Sequence, residues 1–253
     1  MINNFSVVVP IQNEANYIPY SFSSIFKLAP YEVVVVISNT TDKSEELIKE
    51  LWKCSKSKTE LRFFNLDDHV IDWNEVVGYK RRYGYQKCNN DIILATDGDM
   101  ILDSKILNLM SFLEGSIKML KFGFLDYPFN LKSFMRQAFA TITPFKPYSG
   151  VYAFSKAAWL ETENIEDAKK NKKGEDAHLQ LAIERKYKSR YFNTRSLHLR
   201  TTETNERDRM RGKNYQSILN ASFLRVFATS LFMLRPHMLI GYLEEGRKKN
   251  VSI

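Results

Sequence analysis

The chain has 253 residues, of which 44% are hydrophobic and 26% are charged. This composition is ordinary for a folded globular protein, and it excludes a mostly disordered chain, a collagen-like repeat and a polytopic membrane protein. Lys and Arg number 37 against 29 Asp and Glu, so the net charge of +8 suits an anionic partner such as a phosphorylated small molecule or a lipid headgroup. Two cysteines, Cys54 and Cys88, are too few for a disulfide framework and favour a reducing compartment.

Short apolar runs alternate with amphipathic helical patterns in the first half of the chain. The predicted strands are residues 5–11, 32–37, 61–66 and 91–96, and helical patterns follow at 18–26, 44–52 and 72–88. This rhythm predicts βαβ units and a mostly parallel sheet flanked by helices. In such a sheet, ligands bind beyond the carboxyl ends of the strands. The N-terminal residues have neither a basic stretch nor a long apolar run, so we expect no secretory signal.

The second half of the chain is less regular. Its predicted elements are strands at 118–126 and 150–154, a charged loop at 161–174, a helix at 175–186 and an apolar helical stretch at 215–242. We expect one domain over residues 1–200, with a nucleotide half at 1–103 and an acceptor half at 104–200. A helical extension at 201–253 is expected to pack on this domain or on a membrane surface. Its longest apolar run is well short of the about 20 residues that a spanning helix needs.

The sharpest chemical signal is Asp97-Gly98-Asp99, which comes directly after a predicted strand. In an extended segment, residues i and i+2 point to the same side, so the two carboxylates converge. Hard divalent cations prefer such oxygen ligands, often with substrate phosphates completing the shell. A solvated acidic turn is the alternative. Polar segments also follow two other strands, at 12–14 and 38–42, and this favours a ligand site at that edge of the sheet.

The segments VVVPIQNE, VVVVISNTTD, DIILATDGD and the later Gly174-Glu175-Asp176 together resemble a family 2 glycosyltransferase with the GT-A fold. The resemblance covers roughly residues 5–200. It implies an α/β, Rossmann-like mixed sheet, mostly parallel, and a nucleoside-diphosphate sugar as the donor. It also implies a divalent metal, Mn²⁺ or Mg²⁺, as the cofactor.

Several positions match the nucleotide site of that family. Pro10 and Glu14 correspond to a segment that lines the nucleotide pocket, and Arg81 corresponds to an arginine that contacts the nucleotide. The family's acid after the second strand, which commonly holds the base, is replaced here by Ser38 or Asn39. The resemblance therefore leaves the identity of the donor base open. Arg81 could instead belong to a solvated helix face.

The metal and the catalytic base have matching positions as well. Asp97 and Asp99 form the Asp-x-Asp motif, in which Asp99 would hold the metal and Asp97 the ribose, the metal or both. His198 lies where a further metal ligand is expected, although it could equally be a half-buried histidine. Asp176 resembles the family's catalytic base, but acids also favour the first turn of a helix through its dipole. Gly150 would permit acceptor approach or simply make a turn.

The resemblance implies a metal-dependent, inverting transfer of a sugar to an acceptor hydroxyl on a glycan or a lipid-linked molecule. Two alternatives remain open at this stage, a sugar-phosphate nucleotidyltransferase of related fold and a non-catalytic module that binds a metal or a nucleotide. We expect a cytoplasmic location, with contact to the cytoplasmic face of a membrane as one option. The basic residues are scattered and form no recognisable nucleic-acid-binding module, so no nucleic-acid partner is expected.

Overall fold

A computed structural model describes residues 4–66, 76–129, 131–142, 149–162, 175–200, 205–217, 221–232 and 234–251. The strands within these residues are β1 (Phe5–Ile11), β2 (Glu32–Ile37), β3 (Glu60–Asn65), β4 (Ile92–Ala95), β5 (Met100–Ile101), β6 (Ile117–Asp126), β7 (Val151–Ser155) and β8 (Lys188–His198). The helices are α1 (Ile18–Lys27), α2 (Ser44–Ser55), α3 (Val76–Lys87), α4 (Lys105–Leu109), α5 (Leu131–Ile142), α6 (Lys156–Thr162), α7 (Glu175–Lys186), α8 (Asn205–Ser217), α9 (Phe223–Phe232) and α10 (Pro236–Val251).

The described strands form one mixed sheet in the order β3-β2-β1-β4-β7-β6-β8-β5. Strands β3, β2, β1 and β4 are parallel, while β7 pairs antiparallel with both β4 and β6. The predicted α/β fold class is therefore confirmed, and the parallel half is the half that alternates with helices. The carboxyl ends of β1, β2 and β4 meet at one edge, and this edge carries the polar segments of the sequence.

The central strands are apolar on both faces because helices cover both. Alternate residues of β1 enter two separate apolar clusters, so that Val7 and Val9 pack with the residues of α1 while Val8 packs toward α3. Gly84 of α3 has a special role here. A Cβ atom at this position would lie 2.5 Å from the Val8 Cγ1 atom, so only glycine lets α3 lie this close to β1.

A buried carboxylate at the amino end of β2 connects β1, β3 and the segment that follows α3. Glu32 is fully buried and accepts hydrogen bonds from the Ser6 Oγ atom at 2.6 Å, the Arg62 Nη1 atom at 2.8 Å and the Asn89 Nδ2 atom at 3.0 Å. Burial raises the pKa of Glu32, but the hydrogen bonds from Ser6, the Asn89 backbone N–H and Arg62 outweigh it and leave the pKa below the ordinary value of 4.5. The anionic form of this side chain therefore stabilises the fold.

Two sequence predictions fall partly outside the described residues. The helix predicted from Asp72 is described from Val76, and residues 72–75 lie outside the description. The loop predicted at 161–174 begins with the last two residues of α6, and residues 163–174 lie outside it. The helix predicted at 175–186 matches the bounds of α7.

The chain divides into two compact units. The first unit comprises Met1–Phe124 and Tyr148–Leu199, and the second comprises Leu125–Pro147 and Arg200–Ile253. Within the second unit, α8 and α10 meet at glycines, since a Cβ atom at Gly212 would lie 1.8 Å from the carbonyl oxygen of Met238. The predicted division into a domain at 1–200 and an extension at 201–253 stays a prediction. Among the described helices, none is both long and apolar enough to span a bilayer.

Candidate active site

The loops after β1 and β2 are tied together at the carboxyl edge of the sheet. The Asn13 Oδ1 atom accepts a hydrogen bond from the Thr41 backbone N–H at 2.8 Å, and the Asp42 Oδ2 atom accepts one from the Ala15 N–H at 2.9 Å. The backbone N–H of Glu14 donates to the Ser44 Oγ atom at 2.9 Å. Burial raises the pKa of Asp42, but the hydrogen bonds that its carboxylate accepts lower the pKa by more, so the pKa lies below its ordinary value. These contacts hold the predicted nucleotide-binding loops in place.

A buried lysine lies beneath these loops. Lys80 is 1% exposed, and its Nζ atom donates to the carbonyl oxygen of Ile11 at 2.7 Å and to that of Ser38 at 3.4 Å. It thereby joins the carboxyl ends of β1 and β2. The sequence showed Lys80 only as part of a basic cluster, and nothing in the pattern distinguished it from its neighbours. The predicted site residue Ser38 is itself 1% exposed, and its hydroxyl has no hydrogen-bond partner among the described residues.

The Asp97-Gly98-Asp99 turn packs directly against the loop after β1. A Cβ atom at Gly98 would lie 2.5 Å from the Ile11 Cδ1 atom and 3.2 Å from the Glu14 Cγ atom. Glycine at the centre of the motif therefore allows the predicted nucleotide residue Glu14 to lie beside the two acids. Gly150 also borders this turn, since its Cβ atom would lie 3.4 Å from the Asp97 Oδ2 atom. This contact places the segment before β7 next to the acidic turn.

Arg81 connects the acidic turn to the start of α7. Its guanidinium is buried and forms ion pairs with two carboxylates, in which the Nη2 atom contacts Asp97 and the Nη1 atom contacts Asp176. Asp97 and Asp176 lie far apart in the sequence, and a single side chain brings their carboxylates together. The sequence predicted each of these three residues as part of the site. Their direct connection could not be read from it.

A hydrogen-bonded tyrosine pair extends this network into the core. The Tyr152 hydroxyl donates to the Asp176 Oδ1 atom at 3.3 Å and lies 2.8 Å from the Tyr85 hydroxyl. Both rings are 1% exposed. The sequence analysis missed both residues, because a buried tyrosine in an apolar segment is indistinguishable by pattern from ordinary packing.

Helix α7 is held on the segment before β7 by a paired amide contact. The buried side chain of Gln180 accepts from the Ser149 N–H at 3.1 Å and donates to the Ser149 carbonyl oxygen at 2.7 Å. Because Asp176 lies in the first turn of α7, this contact helps to fix the position of its carboxylate.

The predicted metal ligands Asp99 and His198 also lie together. The Nε2 atom of His198 is 3.4 Å from the Asp99 Oδ2 atom. The short antiparallel pairing of β5 with β8 causes this proximity, since it sets Met100 opposite His198. Phe124 packs against the imidazole ring at 5.7 Å between ring centroids. Asp99 is buried, with 6% of the residue exposed.

These donors fit a metal that a substrate would help to bind. Across the described ranges, no group of three or more His, Cys, Asp or Glu residues is placed to hold a metal ion. Asp99 and His198 supply one carboxylate and one imidazole, and Mg²⁺ or Mn²⁺ commonly binds to one or two protein ligands with substrate phosphates and water completing its shell. The residues present therefore suit a cation that arrives with a phosphorylated ligand better than a permanent metal centre.

The remaining predicted residues lie at the same edge in different settings. Pro10 is buried within β1 opposite Val36, so it can contribute to a pocket only through shape. Asn39 is exposed in the loop after β2 and has a φ of 50°, in the left-handed region that asparagine tolerates. All nine predicted site residues belong to the first unit.

The structure shows a mixed α/β sheet with charged side chains gathered at the carboxyl edge of its parallel strands. A model described as Glycosyl transferase family 2 matches residues 6–139, more than half of the chain. The chain therefore belongs to glycosyltransferase family 2, and it is a glycosyltransferase with the GT-A fold. No curated protein matches the sequence.

Several solved structures share the fold at low sequence identity. A mannosyltransferase from Pyrobaculum calidifontis, in complex with GDP-Man and Mn²⁺, has a TM-score of 0.65 at 14% identity, with 99% of this chain and 76% of that chain covered. S. aureus TarS 1-349 has a TM-score of 0.59 at 15% identity, covering 99% and 74%. Glucosyl-3-phosphoglycerate synthase from Mycobacterium tuberculosis, in complex with Mn²⁺, UDP-Glc and phosphoglyceric acid, has a TM-score of 0.55 at 18% identity, covering 83% and 76%.

Proposed function

We propose that the protein is a metal-dependent, inverting glycosyltransferase that moves a sugar from a nucleoside-diphosphate sugar to an acceptor hydroxyl. The observation that carries the proposal is the bridge that Arg81 makes between Asp97 and Asp176. One guanidinium joins the proposed donor-binding acid to the proposed catalytic base, so both carboxylates border the same small volume. Family membership favours glycosyl transfer over the two alternatives, a nucleotidyltransferase and a non-catalytic binding module.

The donor side of the proposal rests on Asp99 and His198. These residues would hold Mn²⁺ or Mg²⁺ together with the donor diphosphate, and the cation would supply charge stabilisation for the departing nucleoside diphosphate. The structural neighbours in complex with GDP-Man and UDP-Glc both contain Mn²⁺, which supports this assignment. Asp97 and Glu14 would contact the ribose and the nucleotide. Arg81, which is buried beside them, would keep a positive charge near the diphosphate.

The acceptor side of the proposal rests on Asp176. A sugar hydroxyl is a poor nucleophile, and a carboxylate that removes its proton contributes about 10²–10⁴-fold to the rate. Arg81 forms an ion pair with the Asp176 Oδ1 atom and the Tyr152 hydroxyl donates a hydrogen bond to the same atom, so both contacts would orient the carboxylate toward the acceptor. Direct attack by the activated hydroxyl, in a single displacement, inverts the configuration at the anomeric carbon.

The donor base is recognised without the acid that is usual in the family. Ser38 has a buried hydroxyl with no hydrogen-bond partner among the described residues, and Asn39 carries a side-chain amide at the next position. Both groups can donate and accept hydrogen bonds, so they are compatible with either uracil or guanine. We propose a glycan or a lipid-linked molecule as the acceptor, and a cytoplasmic location for the reaction.

A thermal-shift panel of UDP-, GDP- and dTDP-sugars, each with and without Mn²⁺, tests the donor assignment. A ligand at a hundredfold excess over its Kd raises the free energy of unfolding by about 2.7 kcal/mol. We expect one donor to stabilise the protein, and to do so only when Mn²⁺ is present. If no nucleotide sugar shifts the transition under either condition, the donor assignment is wrong.

Two variants separate donor binding from chemistry. Asp99→Ala should abolish the effect of Mn²⁺ on donor binding, whereas Asp176→Asn should bind the donor normally and slow transfer by about 10²–10⁴-fold. Glu50→Gln, a change in an exposed acid of α2, is the control and should alter neither property. Undiminished turnover by Asp176→Asn would reject this residue as the base.

A further inference from the structure

Helix α9 of the second unit exposes large apolar side chains and buries two small hydroxyl side chains. Four large apolar residues of α9 are exposed, namely Phe223 at 51%, Leu224 at 66%, Phe227 at 43% and Leu231 at 60%. The buried residues of the same helix are Val226, Thr229 and Ser230. At 3.6 residues per turn the four exposed residues share one face, while the two small hydroxyl residues point inward. An ordinary surface helix has the opposite arrangement.

Helix α5, which packs beside α9 in the same unit, shows a similar arrangement. Leu131, Phe134 and Ile142 are 63%, 65% and 76% exposed and share one face of this helix. Next to this face, the buried ring of Phe139 packs against Phe232 of α9, with 5.4 Å between ring centroids. Exposed apolar surface of this extent on neighbouring helices is typical of an interaction site and rare on a surface that stays in water.

The charge of the second unit identifies the partner. Its sequence contains 13 Lys and Arg residues against 6 Asp and Glu, a net charge of +7, so it holds nearly all of the +8 carried by the whole chain. A second copy of the unit would carry the same charge and be repelled. An anionic lipid surface is attracted by such a charge and also accepts apolar side chains.

We infer that the exposed faces of α9 and α5 form a docking surface for an anionic phospholipid bilayer. Helix α9 has 10 residues and is about 15 Å long, which is half of the hydrocarbon thickness of about 30 Å. In this inference it therefore lies in the headgroup region and does not cross the bilayer. Its aromatic and leucine side chains enter the boundary between headgroups and acyl chains, and the net positive charge of the unit attracts it to anionic headgroups. This inference does not depend on the transfer reaction, because it is measured without donor or acceptor.

Sedimentation with vesicles tests the surface directly. The full chain is mixed with vesicles of phosphatidylcholine alone, or of phosphatidylcholine with phosphatidylglycerol, at low and high salt. We expect binding to the mixed vesicles, and weakening of that binding by salt. The double variant Leu224→Glu/Leu231→Glu should reduce the partition constant by at least about tenfold, since it removes apolar contact and adds negative charge.

Leu160→Glu is the matched control. Leu160 is a leucine of the first unit that is 56% exposed, so the same change there should leave vesicle binding intact. Circular dichroism melts should be the same for all variants, because each substitution falls on an exposed side chain.

Three results would overturn the inference. The first is no binding of the unmodified chain to the anionic vesicles, and the second is an equal loss of binding in Leu160→Glu. The third is a dimer in sedimentation velocity that the double variant dissociates, because the occupant of the surface would then be a second copy of the chain.

Discussion

Replacing Arg81 with lysine tests the bridge on which the candidate site depends. Lysine keeps the positive charge but lacks the planar fork of the guanidinium, so its single nitrogen cannot reproduce the geometry of both contacts, that of Nη2 with Asp97 and that of Nη1 with Asp176. A hydrogen bond to a charged group contributes about 1.5–3 kcal/mol. The side chains of the two acids are 35% and 28% exposed, and water will therefore solvate the released carboxylate. We accordingly expect Arg81→Lys to lower the free energy of unfolding by about 1–2 kcal/mol.

Urea unfolding measures this loss as a lower midpoint at an unchanged slope. Arg185→Lys makes the same chemical change at an exposed position of α7 and should stay within about 0.5 kcal/mol of the unmodified protein. In an Asp176→Asn background the effect of Arg81→Lys should shrink, because one of its two ionic partners is already neutral. If Arg81→Lys and Arg185→Lys have equal midpoints, Arg81 does not bridge the two acids in solution.

Three further substitutions probe neighbouring parts of the fold. Tyr152→Phe should lower kcat and leave KM for the donor unchanged, because Asp176 loses a hydrogen bond that orients its carboxylate; an unchanged kcat would contradict this role. Gly98→Ala should reduce the free energy of unfolding by about 1–3 kcal/mol, since the added methyl group overlaps the Ile11 side chain, and a midpoint equal to that of the unmodified protein would show that the turn adapts. Glu32→Gln should cost about 2–3 kcal/mol at neutral pH by urea unfolding. The folded-state pKa of Glu32 is lowered, so its stabilisation is complete above pH 4.5 and disappears as the pH falls through the folded-state pKa. The free energies of unfolding of the two proteins should therefore become equal in acid. A difference that does not depend on pH would contradict this account.

The sequence determined two strands of the predicted nucleotide half and one helix of the predicted acceptor half. Strands β1 and β2 lie within the ranges predicted from their β-branched runs, and α7 has the predicted bounds. The placement of Asp97 and Asp99 at the carboxyl edge followed from the apolar run before them. These features are local, because a strand needs only a short apolar run and a helix only a 3.6-residue period. The family resemblance rested on the same local motifs, and the family match confirmed it.

Only the tertiary structure decided which distant residues meet. The contact of Arg81 with Asp176, the hydrogen bond from Tyr152 and the proximity of His198 to Asp99 all depend on how the second half of the chain returns across the sheet. The sequence could not predict the orientation of α9 either. Apolar residues cover most of the circumference of this helix, so the pattern does not distinguish a buried face from an exposed one. Periodicity is a property of neighbouring residues, whereas the partner of a buried carboxylate or the exposed side of an apolar helix is set by chain segments far away in the sequence.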